Sequence, residues 1–417
     1  MAGLVPAIHA LLPLNKDVDA RHIGVRSTTM AGHDGGWSGA LQTVMRIAIL
    51  GAGPAGLYLA YLIKRRGGAD VTVIEQNAPD ATFGFGVVFS DRALEFLRED
   101  DEATYAAIAP RMESWADMTL NLRGERVVID GIGFSAIGRL QLLQLLQARA
   151  ASAGVAPMYR RAVTALSELA DFDLVVGADG VNSLVRRTFA HELGASVRLL
   201  SNRFAWFGTS KRFETLTQTF VQTERGAFNA HHYRYAPGMS TFIVEMNTDT
   251  FARNDFAARD EIASRSACER LFAETLDGHP LISNNSIWRQ FPIVHNARWS
   301  HGKYVLIGDA LHTAHFSIGS GTRLALEDAI TLDKALAAHP DVPEALAGFE
   351  AARRPILEKL VAGANGSAQW YEHFAEHMAA RPADFAMSYI TRSGRVDIER
   401  LRKLSPKFVA RYEREHR

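Results

Sequence analysis

Met45-Arg-Ile-Ala-Ile-Leu50, followed at once by Gly51-Ala-Gly53-Pro-Ala-Gly56, decides how this chain folds. The first six residues form the short apolar run that is typical of a buried parallel strand. The Gly-x-Gly-x-x-Gly segment then predicts a tight turn into a helix that continues to about Arg66. A second strand, Val71-Thr-Val-Ile-Glu75, completes the order strand, glycine turn, helix, strand and acid.

This order predicts a dinucleotide-binding site. Gly51 permits the tight turn, Gly53 lets the backbone approach a pyrophosphate, and Gly56 lets the helix pack closely on the sheet. The free N–H groups of the helix N-terminus, beside Pro54 and Ala55, favour phosphate groups. Glu75 stands where an acid binds ribose hydroxyls, which favours FAD or NAD but does not choose between them. The alternative is a glycine-rich turn without any ligand.

Two later segments repeat the pattern of a buried strand that ends in a polar turn and enters a helix. The first is Asp173-Leu-Val-Val-Gly-Ala-Asp179-Gly180, and the second is Lys303-Tyr-Val-Leu-Ile-Gly308-Asp309. Taken alone, Asp179 reads equally well as a turn former. The second segment runs on toward a helix predicted from Leu324 to about Leu336.

The three motifs, in this order over about residues 45–345, resemble those of the single-component FAD-dependent aromatic hydroxylases with the para-hydroxybenzoate hydroxylase-like fold. The resemblance implies an α/β (α+β) fold with a Rossmann-type FAD-binding domain, an inserted antiparallel-sheet substrate domain and a helical C-terminal tail. It also implies FAD as the cofactor and NADH or NADPH as the co-substrate. The residues that would hold FAD are Gly51, Gly53, Pro54, Ala55, Gly56, Glu75, Arg139, Asp179, Gly180, Gly308, Asp309, Gly319 and Gly321.

The resemblance gives several of these residues a place against the cofactor. Arg139 matches an arginine on the phosphate or ribitol side of the flavin, and Asp309 matches a ribitol ligand. Asp179 and Gly180 would lie near the pyrophosphate and the nicotinamide path. Gly319 and Gly321 open a helix aimed at the pyrimidine edge, where a positive helix end stabilises an anionic reduced flavin.

A narrower resemblance points to the substrate. His315-Phe-Ser-Ile-Gly-Ser-Gly-Thr322 and Ala205-Trp-Phe-Gly-Thr209 are similar to a branch that includes salicyloyl-CoA 5-hydroxylase. The branch also includes the hydroxylase domain of anthraniloyl-CoA monooxygenase and a violacein-pathway hydroxylase of a tryptophan derivative. Phe316 replaces the usual proline of the family motif, and Arg323 replaces an asparagine. The anthraniloyl-CoA enzymes of this branch carry a second, reductase domain beyond the hydroxylase, and a chain that ends at Arg417 leaves no room for one. We therefore expect simple hydroxylation, with an aryl-CoA thioester such as salicyloyl-CoA as the substrate.

The reaction that the resemblance implies uses NAD(P)H and O2 through a C4a-hydroperoxyflavin, whose distal oxygen attacks an electron-rich ring. The flavin carries this chemistry, and the protein mainly excludes water. The candidate catalytic residues are His315, Phe316, His231 and Tyr233, although the last two also fit a half-buried aromatic sheet face. Arg289, like Lys211, Arg212 and Arg234, is either a contact for a phosphate-bearing substrate or solvated surface.

Other functions stay open. An indole or tryptophan-derivative hydroxylase is the alternative within the class, and a flavin-dependent reductase without oxygen insertion lies outside it. A flavin-binding protein without enzymatic activity is a third class, and a halogenase is disfavoured because no Trp-x-Trp-x-Ile-Pro segment occurs. His373-Phe-Ala-Glu-His377 matches a metalloprotease pattern without a further ligand, so we expect no metal.

From about residue 200 to 295 the pattern alternates. Phe228–Tyr235 and Ser240–Met246 are predicted strands, joined by Ala236-Pro-Gly-Met239 as a type II turn. We therefore expect a disordered leader or mis-assigned start at 1–44, and an FAD-binding domain at 45–190 and 296–345. The same division places the inserted antiparallel-sheet substrate domain at 191–295 and a helical C-terminal region at 346–417.

Composition limits the partners. The 46 Lys and Arg residues balance 46 Asp and Glu residues, which argues against bulk nucleic-acid binding but permits a small basic patch. A single cysteine, Cys268, allows no internal disulfide and fits a reducing cytoplasm. The longest uncharged apolar run, Ile47–Ile63, is broken by glycines and proline, so we expect no membrane span. We expect a cytoplasmic monomer or homodimer.

Overall fold

The computed structural model describes residues 44–90 and 93–416, so the predicted leader lies outside the described residues except for Val44. The strands are β1 (Met45–Leu50), β2 (Ala69–Ile74), β3 (Gly86–Ser90), β4 (Glu113–Trp115), β5 (Met118–Leu122), β6 (Glu125–Ile129), β7 (Phe134–Gly138), β8 (Leu174–Gly177), β9 (Ala195–Leu199), β10 (Arg203–Thr209), β11 (Leu216–Thr223), β12 (Gly226–Ala236), β13 (Met239–Met246), β14 (Leu281–Ile282), β15 (Pro292–Asn296), β16 (Ser300–His301) and β17 (Tyr304–Leu306).

The strands of the described residues form four sheets, of five, seven, three (β3-β7-β4) and two (β15-β9) strands, and the α-helices pack around the two largest. The α-helices are α1 (Pro54–Arg66), α2 (Glu95–Asp100), α3 (Glu102–Ile108), α4 (Arg139–Ser152), α5 (Leu184–Thr188), α6 (Thr248–Arg253), α7 (Glu261–Leu271), α8 (Ala273–Leu276), α9 (Gly321–Ala338), α10 (Val342–Glu372), α11 (Phe374–His377), α12 (Pro382–Thr391), α13 (Ile398–Leu404) and α14 (Pro406–Arg414). None of the helices in the described ranges combines the length and the apolar character that crossing a membrane requires.

A five-stranded sheet brings the three sequence motifs together. Its strand order is β16-β17-β8-β1-β2, with β17, β8, β1 and β2 parallel. The register sets Leu50 beside Gly177 and Gly177 beside Leu306. Because each of these residues ends its strand, the three motif loops leave the sheet at the same edge, where open α/β sheets bind ligands.

A seven-stranded sheet of order β14-β10-β13-β12-β11-β5-β6 forms the second layer. It differs from the expected insert in two ways. Strands β5 and β6 precede residue 191, and β5 pairs with β11 in parallel, so the sheet is not purely antiparallel. The hairpin of β12 and β13 forms as predicted, but the type II turn is wrong, because that turn needs a positive φ at Gly238 and Gly238 has none.

Alternation gives the seven-stranded sheet two different faces. One face, called here the cleft face, carries Gln218, His231 and Trp206 in one row across the strands and Phe220, Asn229, Glu245 and Phe204 in the next. The opposite face carries His232 and Phe242, whose rings are 5.2 Å apart and stacked. Neighbouring residues of one strand, such as His231 and His232, therefore lie on opposite faces of the sheet and contact different residues.

The C-terminal helices pack on the cleft face. The ring of Phe220 lies 4.7 Å from Phe385, 5.8 Å from Phe374 and 6.1 Å from Trp370. These helices bury a continuous apolar cluster with β5, β6 and β11. The helical C-terminal region therefore belongs to the core of the protein through its inner surface.

Candidate active site

The glycine turn after β1 is shaped by the fold at two of its three glycines. Gly51 has a φ of +102°, and a Cβ there would lie 2.4 Å from the Ala178 carbonyl oxygen. A Cβ on Gly56 would lie 2.0 Å from the Gly51 oxygen. A Cβ on Gly53 would meet no protein atom within 4 Å, so the space before Gly53 is open. An open space at the one glycine that faces a phosphate in such turns fits a bound pyrophosphate.

Glu75 closes this turn from the second strand. One carboxylate oxygen accepts the Ala52 N–H at 2.9 Å, and the other accepts the Asn77 backbone N–H at 2.8 Å. Pro54 begins α1, and no side chain caps this helix end. The N–H groups of its first turn, including Ala55, thus have no side-chain partner among the described residues.

Arg139 and Asp309 lie near enough for each charge to act on the other. Both side chains are accessible to solvent, yet the surrounding protein shifts the pKa of each group. Desolvation lowers the pKa of Arg139, and Asp309 partly offsets this effect. Desolvation likewise raises the pKa of Asp309, offset by His312 and Arg139. Accessible side chains that are also enclosed line a deep cleft, here with one charge of each sign.

The Asp-Gly and Gly-Asp loops are tied together beneath this cleft. Asp179 accepts the Leu184 N–H on one oxygen at 2.7 Å, and its other oxygen has no partner in the described chain. Desolvation raises the pKa of Asp179. Gly180, at a φ of +73°, has open space where a Cβ would be. Arg186 donates to the Ala310 carbonyl at 2.9 Å and so joins the two loops.

A buried ion network supports the Gly-Asp loop. Asp328 accepts the Gly308 N–H at 3.0 Å and contacts His312 Nε2 at 2.7 Å. Arg353 donates to the other oxygen of Asp328 at 2.8 Å. Burial alone would raise the pKa of Asp328, but His312 and Arg353 lower it to about 2. Gly319 and Gly321 follow, with Gly319 at a φ of +59° and Gly321 at the start of α9.

All four candidate catalytic residues form one aromatic cluster. The Phe316 ring lies 4.3 Å from His315 and 6.4 Å from His231. Tyr233 lies 5.5 Å from His231, and its hydroxyl donates to the Gly86 carbonyl. Burial lowers the pKa of both His231 and His315 to about 3, and burial raises that of Tyr233. Both imidazoles are therefore neutral at pH 7 and serve as hydrogen-bonding groups.

The C-terminal helices supply neighbours that the sequence did not reveal. Arg392 donates to the Ser317 carbonyl at 2.9 Å and to Ser367 Oγ at 2.8 Å, and its guanidinium lies 3.8 Å from the Tyr389 ring centre. Tyr371 lies 5.7 Å from His315. No local motif marks either residue, because only the packing of α10 and α12 brings them here.

Polar residues of the cleft face were also missed. Gln218, Asn229 and Glu245 are all buried beside His231. Asn229 lies two residues before His231 on β12, and Glu245 lies opposite Asn229 on β13, so both side chains are on the same face as His231. This alternation is the signal in the sequence by which the two residues could have been found.

The four basic residues considered for a phosphate-bearing substrate have different surroundings. Arg234 is buried and bonded to Glu113 at 2.8 Å, and Lys211 is paired with Asp277 at 2.7 Å. Arg212 is exposed. Arg289 is exposed beside Phe83 and pairs through its backbone with Phe204 of the cleft face.

Comparison with known families agrees with this geometry. Residues 140–364 match the model of an FAD binding domain, and residues 49–80 match an NAD(P)-binding Rossmann-like domain. A solved structure of 2-methyl-3-hydroxypyridine-5-carboxylic acid oxygenase superposes with a TM-score of 0.64 at 16% identity, over 84% of this chain and 96% of the other. At this identity the likeness concerns the fold alone.

Curated relatives share more of the sequence. Salicyloyl-CoA 5-hydroxylase of a Streptomyces species is 43% identical, over 84% of this chain and 70% of the relative. The 3-hydroxy-4-methyl-anthranilyl-[aryl-carrier protein] 5-monooxygenase of Streptosporangium sibiricum is 36% identical, over 84% and 95%. Protodeoxyviolaceinate monooxygenase of Chromobacterium violaceum is 34% identical, over 84% and 94%.

Proposed function

We propose, from the premise that this chain belongs to the FAD-dependent aromatic monooxygenases, that its substrate is an aryl-CoA thioester of the salicyloyl-CoA type. The family uses FAD with NAD(P)H and O2. Two of the relatives are named for aryl groups carried on coenzyme A or on a carrier protein, which supports a thioester. The observation that carries the proposal is the 43% identity to salicyloyl-CoA 5-hydroxylase.

The residues present fit FAD. The open space at Gly53, the unpartnered oxygen of Asp179 and the accessible pair Arg139 and Asp309 lie along the edge where the motif loops meet. When bound, FAD accepts a hydride from NAD(P)H and activates O2 for transfer to an aromatic ring. The proposed contacts are Gly51, Gly53, Pro54, Ala55, Gly56, Glu75, Arg139, Asp179, Gly180, Gly308, Asp309, Gly319 and Gly321.

The side chains of this chain orient the substrate and exclude water. Phe316 and Phe204, whose ring centres are 5.0 Å apart, form an aromatic wall between the cleft and the buried histidines. His231 and His315 stay neutral and offer hydrogen bonds to a ring substituent, while Tyr233 is fixed by Gly86. An apolar wall of this kind keeps water from a reactive oxidant.

The finer expectations belong to this proposal as well. The division at residues 45–190, 191–295, 296–345 and 346–417 assigns FAD binding to the first and third parts and substrate to the second. We propose a cytoplasmic monomer or homodimer that binds O2 and a small aromatic molecule.

The deciding experiment is a product assay on the FAD-loaded protein. NADH or NADPH oxidation and O2 uptake are measured with and without salicyloyl-CoA, and 18O2 incorporation into the product is read by mass spectrometry. We expect stimulation by the thioester and one labelled oxygen per product. Cofactor oxidation without label in any product would instead identify a reductase.

An indole-type hydroxylase is the second candidate, favoured by the 34% identity to protodeoxyviolaceinate monooxygenase. A protein that binds FAD and leaves salicyloyl-CoA unchanged, yet adds 18O to an indole substrate, would replace the first candidate by the second.

A further inference from the structure

Four polar side chains form a block on the cleft face that the FAD site does not use. Gln218 stands opposite His231 across β11 and β12, and Asn229 stands opposite Glu245 across β12 and β13. All four are at most 2% exposed. This group is called the polar strip below.

The polar strip holds several hydrogen-bonding atoms without a partner. They are both ring nitrogens of His231, both amide atoms of Gln218, the Asn229 side-chain oxygen and one Glu245 oxygen. The second Glu245 oxygen accepts from Asn202 at 2.8 Å. Buried polar groups are almost always paired, so an unpaired cluster on one face calls for a ligand that completes it.

The polar strip lies directly behind the aromatic wall. His231 is buried, whereas Phe316, 6.4 Å away, is only half-buried and reaches the solvent-accessible side. Phe204 stands in the same row as Asn229 and Glu245. A ring packed against Phe204 and Phe316 would therefore have its substituents next to the polar strip.

The polar strip carries no charge that would pair with a carboxylate. Burial raises the pKa of Glu245 to about 8 and lowers that of His231 to about 3, so both side chains are neutral at pH 7. The cation that acts on His231 is Arg392. Each nitrogen of Arg392 already donates a hydrogen bond, to Ser367 Oγ, the Tyr389 carbonyl and the Ser317 carbonyl. Arg139 acts on Asp309 and Tyr233, and its guanidinium lies 5.9 Å from the Trp206 ring rather than in the polar strip. A carboxylate in this position would be buried among neutral side chains, and the polar strip itself holds no cation to pair with it.

We propose that the polar strip binds the carbonyl and the adjacent hydroxyl or amino group of an uncharged aromatic acyl compound and rejects the corresponding free carboxylate. His231 and Glu245 are its specificity-determining residues. Amide, imidazole and carboxyl groups together offer both donors and acceptors, which matches a carbonyl next to a hydroxyl or amine. This inference rests on the proposed function and names which acyl compounds its site takes.

The test compares ligands on the unaltered FAD-loaded protein by isothermal titration calorimetry. The probes are salicylamide and methyl salicylate, which are uncharged, and salicylate, which carries a carboxylate. We expect both uncharged probes to bind at least about tenfold more tightly than salicylate, a difference of about 1.4 kcal/mol. Equal or tighter binding of salicylate, or no binding of either uncharged probe, would overturn the proposal.

Paired variants test the residues. His231→Gln should weaken salicylamide binding about tenfold, whereas His232→Gln, one residue away on the opposite face, should leave it within about twofold. At pH 9, where Glu245 is ionised, Glu245→Gln should narrow the preference for methyl salicylate over salicylate. A preference that is unchanged in both His231→Gln and Glu245→Gln would overturn the assignment. FAD content and melting temperature are compared for each variant, and if a variant does not fold, the ligand series on the unaltered protein decides.

The outcomes separate this proposal from the proposed function. Labelled product from salicyloyl-CoA together with equal binding of salicylate and salicylamide would overturn the polar strip alone. Selective binding of the uncharged probes without any hydroxylated thioester would support the polar strip and overturn the thioester substrate.

Discussion

Gly53→Val should remove FAD without unfolding the protein. Gly53 precedes α1 with a φ of −76° and a ψ of −179°, extended backbone that valine adopts freely. A Cβ there meets no protein atom within 4 Å, so the folded chain has room for the new side chain. In the proposed FAD site, the same room is where a pyrophosphate would approach the helix N-terminus.

The expected loss follows from the contacts that the valine blocks. Two backbone N–H bonds to a charged phosphate are worth about 1.5 kcal/mol each, or about 3 kcal/mol together. This corresponds to a Kd for FAD roughly a hundredfold higher. The unfolding free energy should change by less than about 1 kcal/mol, because no packed atom is displaced.

The assay titrates deflavinated protein with FAD and follows the quenching of flavin fluorescence, with thermal denaturation alongside. Gly238→Val is the matched control, since Gly238 also has open space and no positive φ but lies in the β12–β13 turn. Gly56→Val is the opposite control, because its Cβ would lie 2.0 Å from a backbone oxygen and should unfold the turn. A Gly53→Val protein that binds FAD within about threefold of the unaltered chain would refute the reasoning.

Four further predictions concern the same site. Arg139→Gln should weaken FAD binding about tenfold in the quenching titration, with an unchanged melting temperature, because the side chain lines an open cleft; unchanged affinity would contradict its place there. Asp328→Asn should reduce the fall in the unfolding free energy between about pH 3.8 and pH 2, measured by denaturant unfolding at each pH. The pKa of Asp328 is lowered to about 2, so its contribution is present above its ordinary value of 3.8 and is lost as the pH falls toward 2. Glu245→Gln should raise the melting temperature more at pH 9 than at pH 5, because burial raises the pKa of Glu245 to about 8. The protonated carboxyl contributes its full stabilisation below about pH 4.5, and this contribution is lost as the pH rises through 8. Arg392→Met should lower the melting temperature by a few degrees and weaken FAD binding several-fold, because it leaves the Ser317 carbonyl without a partner beside the helix that we propose faces the flavin. An unaltered titration would contradict that link.

The parts of the fold that the sequence predicted depend on neighbours in the chain. The glycine turn, its helix and the acid Glu75 all lie within one strand–helix–strand unit, and the structure forms it with α1 at Pro54–Arg66. The β12–β13 hairpin followed from alternation around a Pro-Gly pair. The turn type was wrong because proline at the first turn position leaves more than one φ open to the next residue.

Contacts between distant segments were beyond the sequence. Nothing local to Met118–Leu122 indicates that β5 pairs with β11 in parallel. Similarly, Arg392 and Tyr371 reach the loop at His315 only because long helices fold back on the sheet. Asp309 follows a strand of the parallel sheet, whereas Arg139 follows β7 of a separate antiparallel sheet, so their meeting depends on how the two sheets pack.

The two-faced seven-stranded sheet has a consequence for directed evolution. Odd-numbered positions of β12 lie on the cleft face, which carries the polar strip. Even-numbered positions lie on the opposite face, in the apolar core where His232 and Phe242 stack. A saturation library restricted to His231, Asn229 and its cross-strand partner Glu245 therefore samples new selectivities with little disturbance of the core on the opposite face. Because side chains alternate between the two faces of the strand, mutations at one set of positions change substrate selectivity, whereas mutations at the other set lower the stability of the fold.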